Sequence, residues 1–141
     1  MFVGEYRHTL DTKNRIFVPV KLREEIRGQL LILRDVREKC LKVYSEDDFK
    51  AMIADKINNT AGRVSAMANR ALYHNAALVT PDAQGRVSLT QSLIDYALIK
   101  KDIVIVGCGN YAEIWSSDVY EEFMSHEDMD LLRDELEQYG I

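Results

Sequence analysis

The chain has 141 residues, 47% of them hydrophobic, and a formal net charge of -5. That length lies in the single-domain range and is enough to build a real core. No run of about 18 uncharged apolar residues occurs, and the start, MFVGEYRHTLD, lacks the basic stretch and long apolar block of a signal peptide, so a cytoplasmic protein without a membrane partner is expected. Cys40 and Cys108 are far apart, form no Cys-x-x-Cys pair and sit in apolar surroundings, which predicts reduced structural thiols. Charge is uneven: residues 118–141 hold nine acidic residues against Arg133 alone, while residues 1–117 are net basic by three. Such an acidic end can be a solvated helix face, and it leaves a mildly basic body that tolerates an anionic partner.

A repeat organises the chain. Asp11 and Arg15 in LDTKNRIFV recur as Asp82 and Arg86 in PDAQGRVSL, a shift of 71 residues, and the same ungapped shift pairs Ile16 with Val87, Val18 with Leu89, Leu22 with Leu93, Ile32 with Ile103, Tyr44 with Trp115 and Phe49 with Tyr120. Register held over almost forty residues predicts two copies of one unit, residues 1–77 and 78–141, packed into a single globule.

In chain order, residues 2–8 alternate like a half-buried strand. Asp11-Thr12-Lys13-Asn14 predicts a turn, with Asn14 at the place where the second copy has Gly85; both residue types tolerate positive φ. A short strand over 15–18 meets Pro19, which suits a helix start, with Leu22 and Ile26 on one face and Gly28 as its end. Strands follow over 30–33 and 40–44, and Ser45 before three acids predicts a capped helix with Phe49, Met52, Ile53 and Ile57 as its apolar stripe. A bridging helix is predicted from about Thr60 to Ala76, with Val64, Met67, Ala71 and Leu72 inward and Arg63 and Arg70 on its border. The second copy predicts strands over 86–89, 102–106 and 111–115, a tight Gly107–Asn110 connection, and acidic helix from Asp118 onward.

The chemistry-bearing pattern is the doubled Asp-x-x-x-Arg. Across a turn the aspartate can accept backbone N–H groups and orient the arginine by a charge-assisted hydrogen bond. Alone, such a pair is adequately explained as a staple for its own turn; recurrence in otherwise divergent halves favours a shared task. His8, His74 and His126 are scattered, and no metal-ligand pair, Gly-x-Ser-x-Gly elbow or phosphate-binding glycine loop occurs, so neither catalytic residues nor a metal or cofactor are expected. A thiol hydrolase built on Cys40 or Cys108 with a histidine nearby in space is the enzyme alternative. Tyr44 and Trp115 end apolar strands and fit a core or subunit contact better than a base-stacking platform.

The stretches GEYRHTLDTKNRIFVPVKLRE, CLKVYSEDDF, PDAQGRVSL and DIVIVGCGNYAEIW together resemble the MraZ family over nearly the whole chain. The resemblance implies an α+β fold, an internally duplicated swapped-hairpin β-barrel of the AbrB-like kind with flanking helices, assembled into ring-like homo-oligomers. It also implies a nucleoid-associated transcriptional regulator of the division and cell-wall gene cluster, bound to repeated sites in double-stranded promoter DNA. The family's DNA-facing motif maps onto Lys13, Arg15 and Arg86, with Arg7 as a further candidate and Asp11, Asn14, Asp82 and Gly85 as motif support. Two positions depart from the family pattern: Asn14 replaces the glycine before the first arginine, and Thr90, a competent helix cap, replaces a proline. The alternative in another class is a non-catalytic structural or protein-interaction ring.

Overall fold

Strand-forming runs in both repeats become strands, and the 71-residue shift becomes a geometric relation between them. The computed structural model describes residues 1–26, 28–58 and 66–141. In chain order its elements are β1 (Glu5–Thr9), β2 (Arg15–Phe17), α1 (Val20–Glu24), β3 (Leu30–Arg34), β4 (Leu41–Ser45), α2 (Glu46–Asn58) and α3 (Ala66–Tyr73), then β5 (Ala77–Val79), β6 (Arg86–Ser88), α4 (Gln91–Tyr96), β7 (Asp102–Gly107), β8 (Ala112–Ser116), α5 (Ser117–Ser125) and α6 (Met129–Gln138). Six strands form one antiparallel sheet in the order β1-β7-β8-β4-β3-β5, and β2 pairs with β6 in a separate two-stranded sheet.

Sequence counterparts face each other. Ile16 is the direct cross-strand partner of Val87, and Lys42 that of Glu113, as a two-fold relation through these two pairs requires. The first strand of each repeat pairs with the third strand of the other: β1 with β7, and β5 with β3. The repeats are therefore interleaved through their backbones.

Alternation then decides what is buried. Ile16 and Val18 of the first repeat and Val87 and Leu89 of the second point inward, where they join Leu30, Ile32, Leu41, Val43, Ile103, Ile105 and Ile114 from one face of the large sheet. Leu22 of α1 and Leu93 of α4, again counterparts, close the same cluster. The sheet's other face is covered in two patches: Leu31, Leu33 and Tyr44 beneath Phe49 of α2, and Val104 and Trp115 beneath Tyr120 of α5. Tyr44 and Trp115 are thus packing residues. Caps behave as their chemistry dictates, with Ser45 Oγ accepting from the Asp48 N–H at 3.1 Å and Thr90 Oγ1 accepting from the Leu93 N–H at 3.3 Å.

Several expectations need correction. The β-barrel is not closed by hydrogen bonds: the ladder stops at β1 and β5, because β2 and β6 are only three residues long and spend their backbone groups on each other. Side chains of the β2–β6 ribbon, rather than a continuous ladder, cover that side of the core. The first strand begins at Glu5 instead of residue 2, since Gly4 takes φ +94 and leaves Phe2 as an isolated bridge to Gly109. Helix α1 ends at Glu24, before Gly28. Of the bridging helix, Thr60, Arg63 and Val64, together with the Ile57 side chain of α2, lie outside the described residues; within α3, Met67 is 69% exposed rather than inward, and Leu72 alone of the expected face packs on the Phe49 cluster.

Leu93 is fully buried at the junction of ribbon and sheet, so Leu93→Ala is expected to cost about 2–5 kcal/mol of stability. Val20→Ala, at an exposed site at the start of the equivalent helix, should change it by less than about 0.5 kcal/mol. Urea unfolding of both variants checks the contrast; comparable losses would show that the core is not centred where the ribbon meets the sheet.

Candidate nucleic-acid interface

Each motif turn is built by one carboxylate. Asp11 Oδ1 accepts the backbone N–H groups of Lys13 at 2.9 Å and Arg15 at 2.8 Å, while Oδ2 accepts Arg15 Nε–H at 2.7 Å. Asp82 repeats this with Gln84 N–H and Arg86 N–H, both at 2.9 Å, and with Arg86 Nε–H at 3.0 Å. The turn backbone closes in the same way, with the Asn14 N–H donating to the Asp11 carbonyl and the Gly85 N–H to the Asp82 carbonyl. That closure needs a left-handed residue at the fourth position: Asn14 has φ +58 and Gly85 φ +80, so asparagine performs glycine's backbone task here.

The turns feed a two-stranded antiparallel ribbon whose register fixes the arginines. Arg15 lies opposite Ser88 and Arg86 opposite Phe17. Direct partners share a face, and Ile16 and Val87 occupy the inward one, so Arg15, Phe17, Arg86 and Ser88 all face outward. Arg15 and Arg86 are diagonal neighbours, about 7–8 Å apart at the backbone. Their side chains are 26% and 32% exposed: each is anchored at Nε and open to solvent at its outer edge. Lys13 is exposed beside the first turn.

The chain matches, over residues 1–70 and again over 72–138, the family described as "MraZ protein, putative antitoxin-like". The chain belongs to the MraZ family. Relatives named "Transcriptional regulator MraZ" include a protein of Clostridium acetobutylicum, 39% identical over 144 residues with all of both chains covered, and one of Alkaliphilus oremlandii, 32% identical over 145 residues with all of both covered. A third, from Carboxydothermus hydrogenoformans, is 38% identical over 128 residues, covering 87% of this chain and 86% of its own. MraZ proteins are a class of regulators rather than enzymes, and no helix among the described residues is long and apolar enough to cross a membrane.

Not every candidate joins the ribbon face of this MraZ chain. Arg7, on edge strand β1, spends Nη2 on Glu121 of α5 at 2.7 Å and lies 3.5 Å from Glu5, so its charge is already compensated. The thiols lie on the far face of the large sheet: Cys40 Sγ is 3.8 Å from both Asp35 and Glu113 carboxylate oxygens, and Cys108 Sγ is 3.5 Å from Glu113. Burial, then the Glu113 charge, pushes the Cys108 thiol up to about 12 and the Cys40 thiol higher still, the reverse of what a nucleophile needs. One residue at the ribbon escaped sequence reasoning altogether. Arg23 of α1 lies against the second turn, its Nε–H donating to the Val18 carbonyl at 2.9 Å and its guanidinium 5.2 Å from the Phe17 ring centroid. Its counterpart under the 71-residue shift is the apolar Ile94, so a search by duplication passes over it.

Both motif carboxyls are held below the usual aspartate range, chiefly by the backbone N–H of Arg15 or Arg86 and further by the arginine side chain, with partial desolvation opposing. A depressed folded-state value means these carboxylates stabilise the fold above the unfolded aspartate pKa of about 3.9, and that the contribution is lost as pH falls below it. Asp11→Asn and Asp82→Asn are therefore expected to be less stable than wild type at neutral pH and to lose less on acidification below about pH 3.9. Thermal unfolding at stepped pH checks this; wild type and variants falling in parallel would show that the turns carry no acid-sensitive linkage.

Proposed function

We propose that this MraZ chain is a sequence-specific, duplex-DNA-binding transcriptional regulator that inserts the outward face of the β2–β6 ribbon into the major groove. The observation that carries the reading is the pinned pair: two arginines, diagonal on one ribbon face, each fixed at Nε by its own aspartate. A two-stranded ribbon is of a size the major groove admits, and an arginine fork matches guanine O6 and N7 there as well as it matches a phosphate. Arg15 and Arg86 are the recognition residues, Lys13 a phosphate contact at the first turn, and Asp11, Asn14, Asp82 and Gly85 the supports that set their position. Arg7 is the weakest member of this set, because DNA must compete with Glu121 for it.

A single ribbon neutralises few phosphates, and few neutralised phosphates give weak binding at physiological salt. Several copies acting together resolve this, and the ring-like homo-oligomer expected of the family supplies them. Exposed apolar side chains on the acidic end, Phe123 and Met124 of α5 and Leu131 and Leu136 of α6, are consistent with contacts between copies. The interleaved repeats, residues 1–77 and 78–141, are read as a fused form of the swapped-hairpin architecture. Repeated sites upstream of the division and cell-wall genes, on the nucleoid in the cytoplasm, are the target. The exposed apolar residues also favour the alternative of a purely structural ring, which would show no salt-dependent affinity for duplex DNA.

Arg15→Ala and Arg86→Ala should leave Tm and assembly near wild type while weakening binding to promoter DNA by roughly 1–3 kcal/mol for each base-reading contact removed. Spacing direct repeats by one helical turn, about 10 bp, should bind better than spacing with half a turn inserted. Electrophoretic titrations of wild type and both variants on phased and misphased repeats test both statements. Equal affinities throughout would reduce the arginines to staples of their own turns.

A further inference from the structure

The two motif turns are unequal in sequence. Lys13 of the first turn has Gln84 as its counterpart, so the motif alone gives the first turn two cations and the second turn one. The structure places another guanidinium at the poorer turn. A Cβ on Gly85 would lie 2.5 Å from Arg23 Cζ and 2.7 Å from its Nε and Nη1, so Arg23 of α1 rests directly on the glycine backbone. Arg23 also stands over Phe17, and Phe17 is the cross-strand partner of Arg86 on the outward face. Among the described residues nothing equivalent stands over the first turn: the counterpart of Arg23 is Ile94, buried in the core, and α4 reaches the first turn through Gln91, whose Oε1 accepts from Asn14 Nδ2 at 3.4 Å.

We propose that Arg23 is a DNA-contacting residue that supplies the second turn with its second cation, so that each end of the ribbon offers two: Lys13 with Arg15, and Arg86 with Arg23. This rests on the reading of the ribbon as a DNA-binding face. Arg23 differs from the motif arginines in its anchor. Arg15 and Arg86 direct Nε to a carboxylate, which offsets part of their charge, whereas Arg23 directs Nε to the neutral carbonyl of Val18. Its full charge and its remaining N–H donors are available to a phosphate, and the stack on Phe17 restricts the side chain to the position from which it can use them. Gly85 is then required twice, once for φ +80 and once because any side chain would displace Arg23. The partner this favours is the phosphate flanking the bases addressed by Arg86, since Arg23 stands beside Phe17, the cross-strand partner of Arg86, and keeps an uncompensated positive charge there.

The test is a fluorescence anisotropy titration of full-length protein on a labelled duplex from the region upstream of its own gene, over a series of salt concentrations, with Tm measured for every variant. Arg23→Gln should weaken binding and lower the slope of log K against log salt by about 0.9 for each subunit engaged, the signature of one lost phosphate contact. Arg23→Lys should keep the slope, because it keeps the charge. Adding Gln84→Lys to Arg23→Gln should restore the slope by returning a cation at the Lys13-equivalent position. A folded Arg23→Gln with unchanged slope overturns the proposal, as does an Arg23→Lys that loses as much slope as Arg23→Gln. Loss of folding in both single variants would make Arg23 a staple of the second turn and also overturn it. If instead wild type shows no salt-dependent duplex binding, it is the DNA reading that has failed.

Discussion

Everything at the candidate interface depends on one aspartate carboxylate per turn serving three donors at once. With one oxygen on two backbone N–H groups and the other on the arginine Nε, the carboxylate closes the turn and aims the side chain in a single act. Neither function would survive alone. A turn without its aspartate leaves the left-handed residue unsupported, and an unanchored arginine would sample many rotamers at an entropic cost that any ligand must then meet. Anchoring at Nε, rather than at the fork, leaves the outer edge of the guanidinium free. The ion pair is partly exposed, so its worth lies in orientation more than in stability.

A ribbon of two three-residue strands is too short to persist on its own. It persists here because alternation turns Ile16, Val18, Val87 and Leu89 into the core that Leu22 and Leu93 seal from the sides. The outward face is thereby left entirely to Arg15, Phe17, Arg86 and Ser88. Duplication does further work. Because each repeat lends its first strand to the other, the two turns cannot move independently, and the arginine spacing is set by the ladder rather than by loop conformation. The acidic 118–141 segment, which makes the whole chain net negative, folds into α5 and α6, and Glu121 of α5 is tied to Arg7 on the edge strand.

Much of this was legible in the sequence because it follows from local chemistry. Turn residues, strand alternation, the Ser45 and Thr90 caps and the left-handed demand at Asn14 are all visible in short windows, and the shift of 71 announces the repeat. What the sequence could not show is which strands meet. Strand exchange between repeats and the separation of the β2–β6 ribbon from an open six-stranded sheet depend on long-range pairing, which periodicity does not encode. Met67 misleads for a related reason: helical spacing gives an inward face only if something lies there to cover it. Arg23 escapes sequence reasoning because its place at the ribbon comes from a contact with Gly85 some sixty residues away and has no echo in the other repeat. Arg7 is a candidate because it lies on the strand just upstream of the motif, and its neutralisation by α5 is equally non-local.

The central claim is that aspartate-pinned arginines on an outward-facing ribbon read base edges in the major groove. Methylation interference tests it most directly, because dimethyl sulfate places a methyl group on guanine N7, one of the major-groove acceptors an arginine fork would use. Protein-bound and free pools of sparsely methylated promoter duplex are separated and cleaved. The account predicts that bound DNA is depleted of N7-methylated guanines at positions repeating about once per helical turn, and that Arg15→Ala or Arg86→Ala abolishes depletion at particular guanines. Bound and free pools with identical methylation patterns, or interference confined to minor-groove adenine N3, would contradict it.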